Sequence, residues 1–280
     1  MSKLMALGSL MIVSAVVPCN ARALQAPDGS IRLNTISGIP VVDGVFLDGH
    51  GPYRFLLDTG AQMNQVEASL ASKIGLAQTL RTEMATVTGI IPVAGGRVAE
   101  VSLGSAKASN QEFLYTTLDG AHALSTEIKG VLGQEFLAHF DYLLDFANHL
   151  LVFGEPTAEG GNRVGFETIN GCPVVETSEG KLVLDSGANV TILYRASSPE
   201  PDGPAIRTAS GRATAARIEN LRLLIAGRDY HPANAASIPR SRPRGDGLLP
   251  ASLFHAVFVS NSGRYVILDP GVKSGGAGSR

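Results

Sequence analysis

Two short segments of the chain could do chemistry together. Asp58-Thr59-Gly60-Ala61 follows the apolar run Phe55-Leu56-Leu57, and Asp185-Ser186-Gly187-Ala188 follows Leu182-Val183-Leu184. Each run delivers an acid, a small hydroxyl residue, a glycine and an alanine. Two carboxylates presented in the same way suggest a paired-aspartate site. Brought to hydrogen-bonding distance, they cannot both ionise cheaply, so one proton is shared and the pair titrates as a unit. The ionised member can take a proton from water while its partner donates to a carbonyl oxygen. That is general base and general acid catalysis of amide hydrolysis, with no covalent intermediate.

The neighbours of each acid have physical work to do in such a site. An apolar strand fixes the acid where two halves of the molecule meet. The hydroxyls of Thr59 and Ser186 can hydrogen-bond across to the opposite loop. Gly60 and Gly187 permit a tight turn whose N–H groups face the carboxylates. Ala61 and Ala188 are small enough for close packing. A single Asp-x-Gly is ordinary turn chemistry; two copies in matching frames are not.

The elements that must position these residues are short and strand-like. Ile39 to Phe46, Tyr53 to Leu57, Val98 to Leu103, Leu143 to Phe153, Lys181 to Leu184, Ile218 to Ile225 and Tyr265 to Leu268 are apolar or alternating runs bounded by Gly, Pro, Asp and Asn. Helical spacing is brief, over Val66 to Ile74 before Gly75 and over Gln134 to Phe140. The two halves also align in order. Pro40-Val41-Val42 matches Pro173-Val174-Val175, the acid motifs follow, and Gly130-Val131-Leu132-Gly133 matches Gly247-Leu248-Leu249-Pro250. Leu143-Leu144 with Leu150 to Phe153 then matches Phe258-Val259 with Tyr265 to Leu268. The expected architecture is all-β, with two pseudo-twofold-related lobes and short helices.

Gly51 to Ala61, read as Gly-Pro-Tyr-Arg-Phe-Leu-Leu-Asp-Thr-Gly-Ala, resembles the signature of the retropepsin-like aspartic proteases. Gly130 to Leu137 resembles that family's second motif, two apolar residues and a glycine leading into a helix. The resemblance implies a β-barrel lobe per repeat, both on one chain, with Asp58 and Asp185 as catalytic acids. Thr59, Gly60, Ala61, Ser186, Gly187 and Ala188 support them. It implies an aspartic endopeptidase that needs no cofactor and no metal, and a monomer whose dyad is intramolecular. Its substrate is a peptide or protein segment in extended conformation. Flaps are expected between the motifs of each half, at Thr88, Gly89 and Ile90 and at Ser210 and Gly211, with Gly89 and Gly211 as hairpin tips. An ordinary surface hairpin reads equally well at both places.

Three positions depart from the pattern. Pro250 stands where the first half has Gly133, and proline has a ring and no N–H. Gln62 and Asn189 follow the alanines, where many retroviral relatives carry an acid. Pro250 keeps a second reading open, a retropepsin-like peptide-binding module with weak or lost catalysis.

Composition bounds the rest. Hydrophobic residues make up 44% of the 280, enough for a proper core, and the net charge of -2 offers no basic footprint for nucleic acid. No histidine forms H-E-x-x-H or a ligand-spaced pair with cysteine. No G-x-S-x-G elbow or phosphate-binding loop occurs. Two carboxylates also serve glycosidases, but there the acid and nucleophile usually have different settings.

Lys3, the apolar stretch Leu4 to Val17 and Ala21-Arg22-Ala23 read as an export signal over residues 1–23, and hence a periplasmic or secreted protein. The stretch is too short for a stable membrane span. Pro18 argues against lipid attachment at Cys19. Cys172 reads as a small buried apolar residue. The domains expected are residues 24–160 and 161–270, joined near Glu155 to Arg163, with a disordered tail over 271–280.

Overall fold

The computed structural model describes residues 29–86, 89–154, 158–195, 205–208, 211–239 and 245–272. The segment read as an export signal, including Cys19, lies outside them, as do residues 273–280. Among the described residues the protein is all-β. Its α-helices are single short turns at Ala68–Lys73, Asp119–His122 and Gln134–Leu137, with a 3-10 turn at Ala251–Leu253. No helix among these residues is long and apolar enough to cross a membrane.

The strand order is the same in both halves. In the first it runs Ser30–Ile36, Ile39–Leu47, His50–Leu57, Ile128–Leu132, Asn64–Glu67, Ala106–Thr116 and Gly89–Leu103. In the second it runs Glu167–Ile169, Cys172–Thr177, Gly180–Asp185, Gly247–Pro250, Thr191–Arg195, Ala235–Pro239 and Ala216–Ile218. Each acid-bearing strand pairs in parallel with the strand of the downstream Gly-x-x-Gly or Gly-x-x-Pro motif. That strand pairs antiparallel with the one that follows the acid turn.

The hairpin that opens each half is closed by the same kind of turn. Ser37 and Gly38 have φ of 53° and 81°, and Asn170 and Gly171 have 51° and 79°. Two successive positive φ values match the twist of the flanking strands and connect them in two residues.

A six-stranded antiparallel sheet joins the halves. Its order is Asn162–Gly165, Tyr265–Leu268, Ala256–Ser260, Tyr142–Asp145, Leu150–Phe153 and Ser30–Ile36. The seam pairs Leu144 with Val257 and Leu143 with Phe258. These are the segments whose apolar patterns match between halves in the sequence. One core runs through both halves and contains Leu57, Leu132, Leu184, Leu249, Val257 and Val266. Each such side chain contributes about 1.5–3 kcal/mol by leaving water, so the strands beneath the two acids are held rigidly. Gly271–Val272, at the start of the segment read as a tail, pairs with Ala158–Glu159.

Candidate active site

The acids leave the ends of equivalent strands. Asp58 follows His50–Leu57, and its N–H donates to Leu132 O at 3.0 Å. Asp185 ends Gly180–Asp185 and lies in register with Pro250. The structure brings the two turns together, so that each carboxyl group stands against the glycine of the opposite turn. Gly60 and Gly187 make this approach possible. A Cβ on Gly60 would stand 2.5 Å from Asp185 Cγ, and one on Gly187 would stand 2.5 Å from Asp58 Cγ. Any side chain at either glycine would displace the opposite acid.

Thr59 and Ser186 lock the two turns to each other. Thr59 N–H donates to Ser186 Oγ at 3.0 Å, and Ser186 N–H donates to Thr59 Oγ1 at 2.9 Å. Each hydroxyl then donates to the carbonyl just before the opposite acid: Thr59 Oγ1 to Leu184 O at 2.6 Å, and Ser186 Oγ to Leu57 O at 2.8 Å. Both side chains are 1% exposed, so water cannot replace these bonds.

The acids differ in their surroundings. Asp58 is half-buried, and its Oδ1 accepts the Gly60 N–H at 2.9 Å. Asp185 is buried, and its Oδ1 has no hydrogen-bond partner among the described residues. Burial raises the Asp185 pKa well above the ordinary carboxylate range, and the charge of Asp58 and the hydrogen bond to it act in the same direction. The N–H groups of Gly187 and Ala188 oppose this without outweighing it.

Gln134 and Cys172 also belong to the site, although sequence reasoning gave neither a role. Gln134 Nε2 donates to Thr59 O at 2.8 Å, and Cys172 Sγ donates to Gly60 O at 3.3 Å. Ala61 O accepts the Gln134 N–H at 2.8 Å, which ties the first turn to the start of Gln134–Leu137. The place of Gln134 directly after Gly133 was the available signal. Nothing in the sequence marked Cys172, because its contact is made across 112 residues.

The Gly133/Pro250 difference has a local consequence. Gly133 is pressed against backbone, with a Cβ there standing 2.7 Å from both Ala61 O and Met63 O, and its N–H donates to buried Asn64 Oδ1 at 3.0 Å. Pro250 has no N–H to give. Thr191, as far beyond Asp185 as Asn64 is beyond Asp58, has a buried Oγ1 with no partner among the described residues. Pro250 leads into a 3-10 turn where Gly133 leads into an α-helical one. Gln62 and Asn189 face the opening hairpins of the opposite halves. Asn189 Nδ2 donates to Ser37 O at 3.1 Å, and a Cβ on Gly171 would stand 3.9 Å from Gln62 Cγ.

Hairpins occur where flaps were expected. Leu80–Thr86 pairs with Gly89–Leu103, with Thr86 opposite Gly89. Ala205–Thr208 pairs with Gly211–Thr214, with Thr208 opposite Gly211. Gly89 and Gly211 therefore open the return strands rather than form the tips. Ile90 pairs with Ala85, while Thr88 and Ser210 lie outside the described residues. Among the described residues no group of three or more His, Cys, Asp or Glu side chains could hold a metal ion.

Residues 42–136 match the family model described as aspartyl protease. A search of curated proteins returns no match to this sequence. Among solved structures, a retropepsin-like aspartic protease from Rickettsia conorii is similar at 21% identity and a TM-score of 0.33, over 44% of this chain and 87% of that one. Residues 42–136, which hold Asp58-Thr59-Gly60 and Gly130 to Gly133, are thus similar to the aspartyl proteases, and this similarity covers about a third of the chain.

Proposed function

We propose that the protein is an aspartic endopeptidase that hydrolyses peptide bonds with a water activated between Asp58 and Asp185. The observation that carries this is the contact of the two carboxyl groups across Gly60 and Gly187. Asp185, whose proton is held tightly, donates to the carbonyl oxygen of the scissile bond. Asp58, closer to solvent and hydrogen-bonded to Gly60 N–H, is the carboxylate that takes a proton from water. The hydroxide so formed adds to the carbonyl carbon and gives a tetrahedral diol. Its collapse breaks the C–N bond as the amine nitrogen takes the proton from Asp58 and a diol hydroxyl returns its proton to Asp185, which restores the starting state. No bond to the enzyme forms.

The substrate lies extended between two lobes, residues 24–160 and 161–270, and hydrogen-bonds along its backbone like an added strand. The flaps expected at Thr88, Gly89 and Ile90 and at Ser210 and Gly211 close over it. Both acids reside on one chain, which supports a monomer. The charged, apolar and small-residue pattern of residues 1–23 supports export.

The test is hydrolysis of unstructured peptides by the purified protein between pH 3 and pH 8, with and without a transition-state mimic that places a hydroxyl at the tetrahedral carbon. Cleavage abolished by the mimic supports the reading. A second reading, a peptide-binding module with weak catalysis, draws on Pro250, which has no N–H, and on the buried Thr191 hydroxyl, which has no partner among the described residues. Tight peptide binding without turnover across that pH range would favour it and overturn the first.

A further inference from the structure

The two signature turns are alike where they face each other and unlike behind. Gln134, 4% exposed, donates its Nε2–H to Thr59 O at 2.8 Å, and buried Cys172 donates its Sγ–H to Gly60 O at 3.3 Å. The corresponding residues of the other half are Ala251, directly after Pro250, and Ile39, directly after the Ser37-Gly38 turn. Neither has a side chain that can donate a hydrogen bond.

The two carbonyls matter because of the peptide units they belong to. Thr59 C=O and Gly60 N–H are one planar unit, and that N–H donates to Asp58 Oδ1 at 2.9 Å. A carbonyl that accepts a hydrogen bond polarises its own amide, so the N–H becomes a stronger donor. The same bond fixes the plane, which keeps the N–H aimed at the carboxylate. Gly60 C=O and Ala61 N–H form the next unit, and that N–H closes the turn on Asp58 O at 3.2 Å. Of the two N–H groups, that of Gly60 reaches the carboxylate and that of Ala61 the main-chain oxygen; donation to a carboxylate favours its charged form.

We propose that Gln134, assisted by Cys172, is a positioning residue that keeps Asp58 as the ionised member of the pair and leaves the shared proton on Asp185. This deepens the proposed function, because it decides which acid is the base. The burial of Asp185 acts in the same sense. Among the described residues, Asp185 faces Asp58, the Cys172 thiol lies behind the turn on Gly60 O, and the fully buried Tyr142 phenol, whose pKa burial raises, lies beside Gln134. Thiol and phenol are both neutral where carboxylates titrate. The Glu135 carboxylate is engaged elsewhere, accepting Glu112 N–H at 3.2 Å.

The experiment is a carboxyl-carbon NMR titration of the full chain with isotope-labelled aspartate, assigned through Asp58→Asn and Asp185→Asn. Gln134→Met keeps the length of the side chain and removes the donor. Weakening one charge-assisted hydrogen bond by a tenth to a third raises the lower of the pair's two apparent pKa values by a few tenths of a pH unit. The upper step moves less. Cys172→Ala raises the same step by a smaller amount, and it carries the test should Gln134→Met fail to fold, whereas Cys172→Ser leaves both steps in place. A lower step unmoved in folded Gln134→Met, or in Cys172→Ala where that variant stands in, overturns the proposal, as does movement confined to the upper step. Peptide hydrolysis is read separately. An asymmetric titration without turnover would count against the proposed function alone, and turnover with unmoved titration steps would count against this inference alone.

Discussion

Thr59 and Ser186 each accept the other's backbone N–H and each donate to the carbonyl that precedes the other's acid. Four hydrogen bonds made by two buried residues, two between them and two to Leu184 O and Leu57 O, thus set the separation and tilt of the two turns. The acids ride on those turns, so their contact is a consequence of this exchange.

Thr59→Ala removes one hydroxyl and leaves Ser186 N–H and Leu184 O buried without partners. A buried group left unpaired costs about 1–3 kcal/mol. We expect denaturant unfolding to show a loss of about 2–4 kcal/mol, with Ser186→Ala similar. Thr59→Ser keeps the hydroxyl and should retain most of the stability. A neutral Thr59→Ala would contradict the assigned role.

Gly60→Ala and Gly187→Ala introduce a methyl 2.5 Å from the opposite carboxyl carbon. Neither glycine has a positive φ, so the backbone tolerates alanine and the conflict falls on the acids. Peptidase activity should fall by at least about 100-fold, the scale of losing general acid–base catalysis. The loss of melting temperature should be smaller than that of Thr59→Ala.

Asp185 makes stability depend on pH. Its folded pKa is raised, so the folded chain holds this proton more tightly than the unfolded chain does. The contribution is fully present below the ordinary carboxylate pKa of about 4. As pH rises from there the unfolded chain loses its proton first, so stability declines toward the folded pKa, by at most about 1.4 kcal/mol per pH unit, and above it the contribution is gone. Asp185→Asn should flatten this decline in equilibrium unfolding measured from pH 4 upward. An unchanged slope would show that Asp185 is not the tight proton holder.

Thr191→Val replaces a buried hydroxyl that has no partner among the described residues with a methyl of similar shape. Removing an unsatisfied buried polar group should stabilise the protein by about 1 kcal/mol, read as a higher denaturant midpoint. The equivalent change in the first half, Asn64→Val, strands Gly133 N–H and should destabilise it.

Much of this site was legible before any coordinates. The doubled Asp-(Thr/Ser)-Gly-Ala, the order of strands around it and the matched Leu143 and Phe258 segments are local patterns, and repetition made them specific. Element boundaries were less legible. The strand expected at Val98 to Leu103 begins at Gly89, because Pro92, Gly95 and Gly96 read as breakers but sit in a long strand paired on both sides. Val66, expected in a helix, pairs with Tyr115 in the sheet. The helix expected over Gln134 to Phe140 stops at Leu137. What lies behind each turn was not legible, since Gln134 and Cys172 reach their carbonyls only once distant segments have packed.

The central claim is tested most directly by kcat/KM for Asp58→Asn, Asp185→Asn and the double variant on one peptide substrate. Groups that share a proton act as a unit, so their losses do not add. Each single variant should fall by at least about 10²–10⁴-fold and come close to the double variant. Wild-type-like hydrolysis by either single variant would contradict the account.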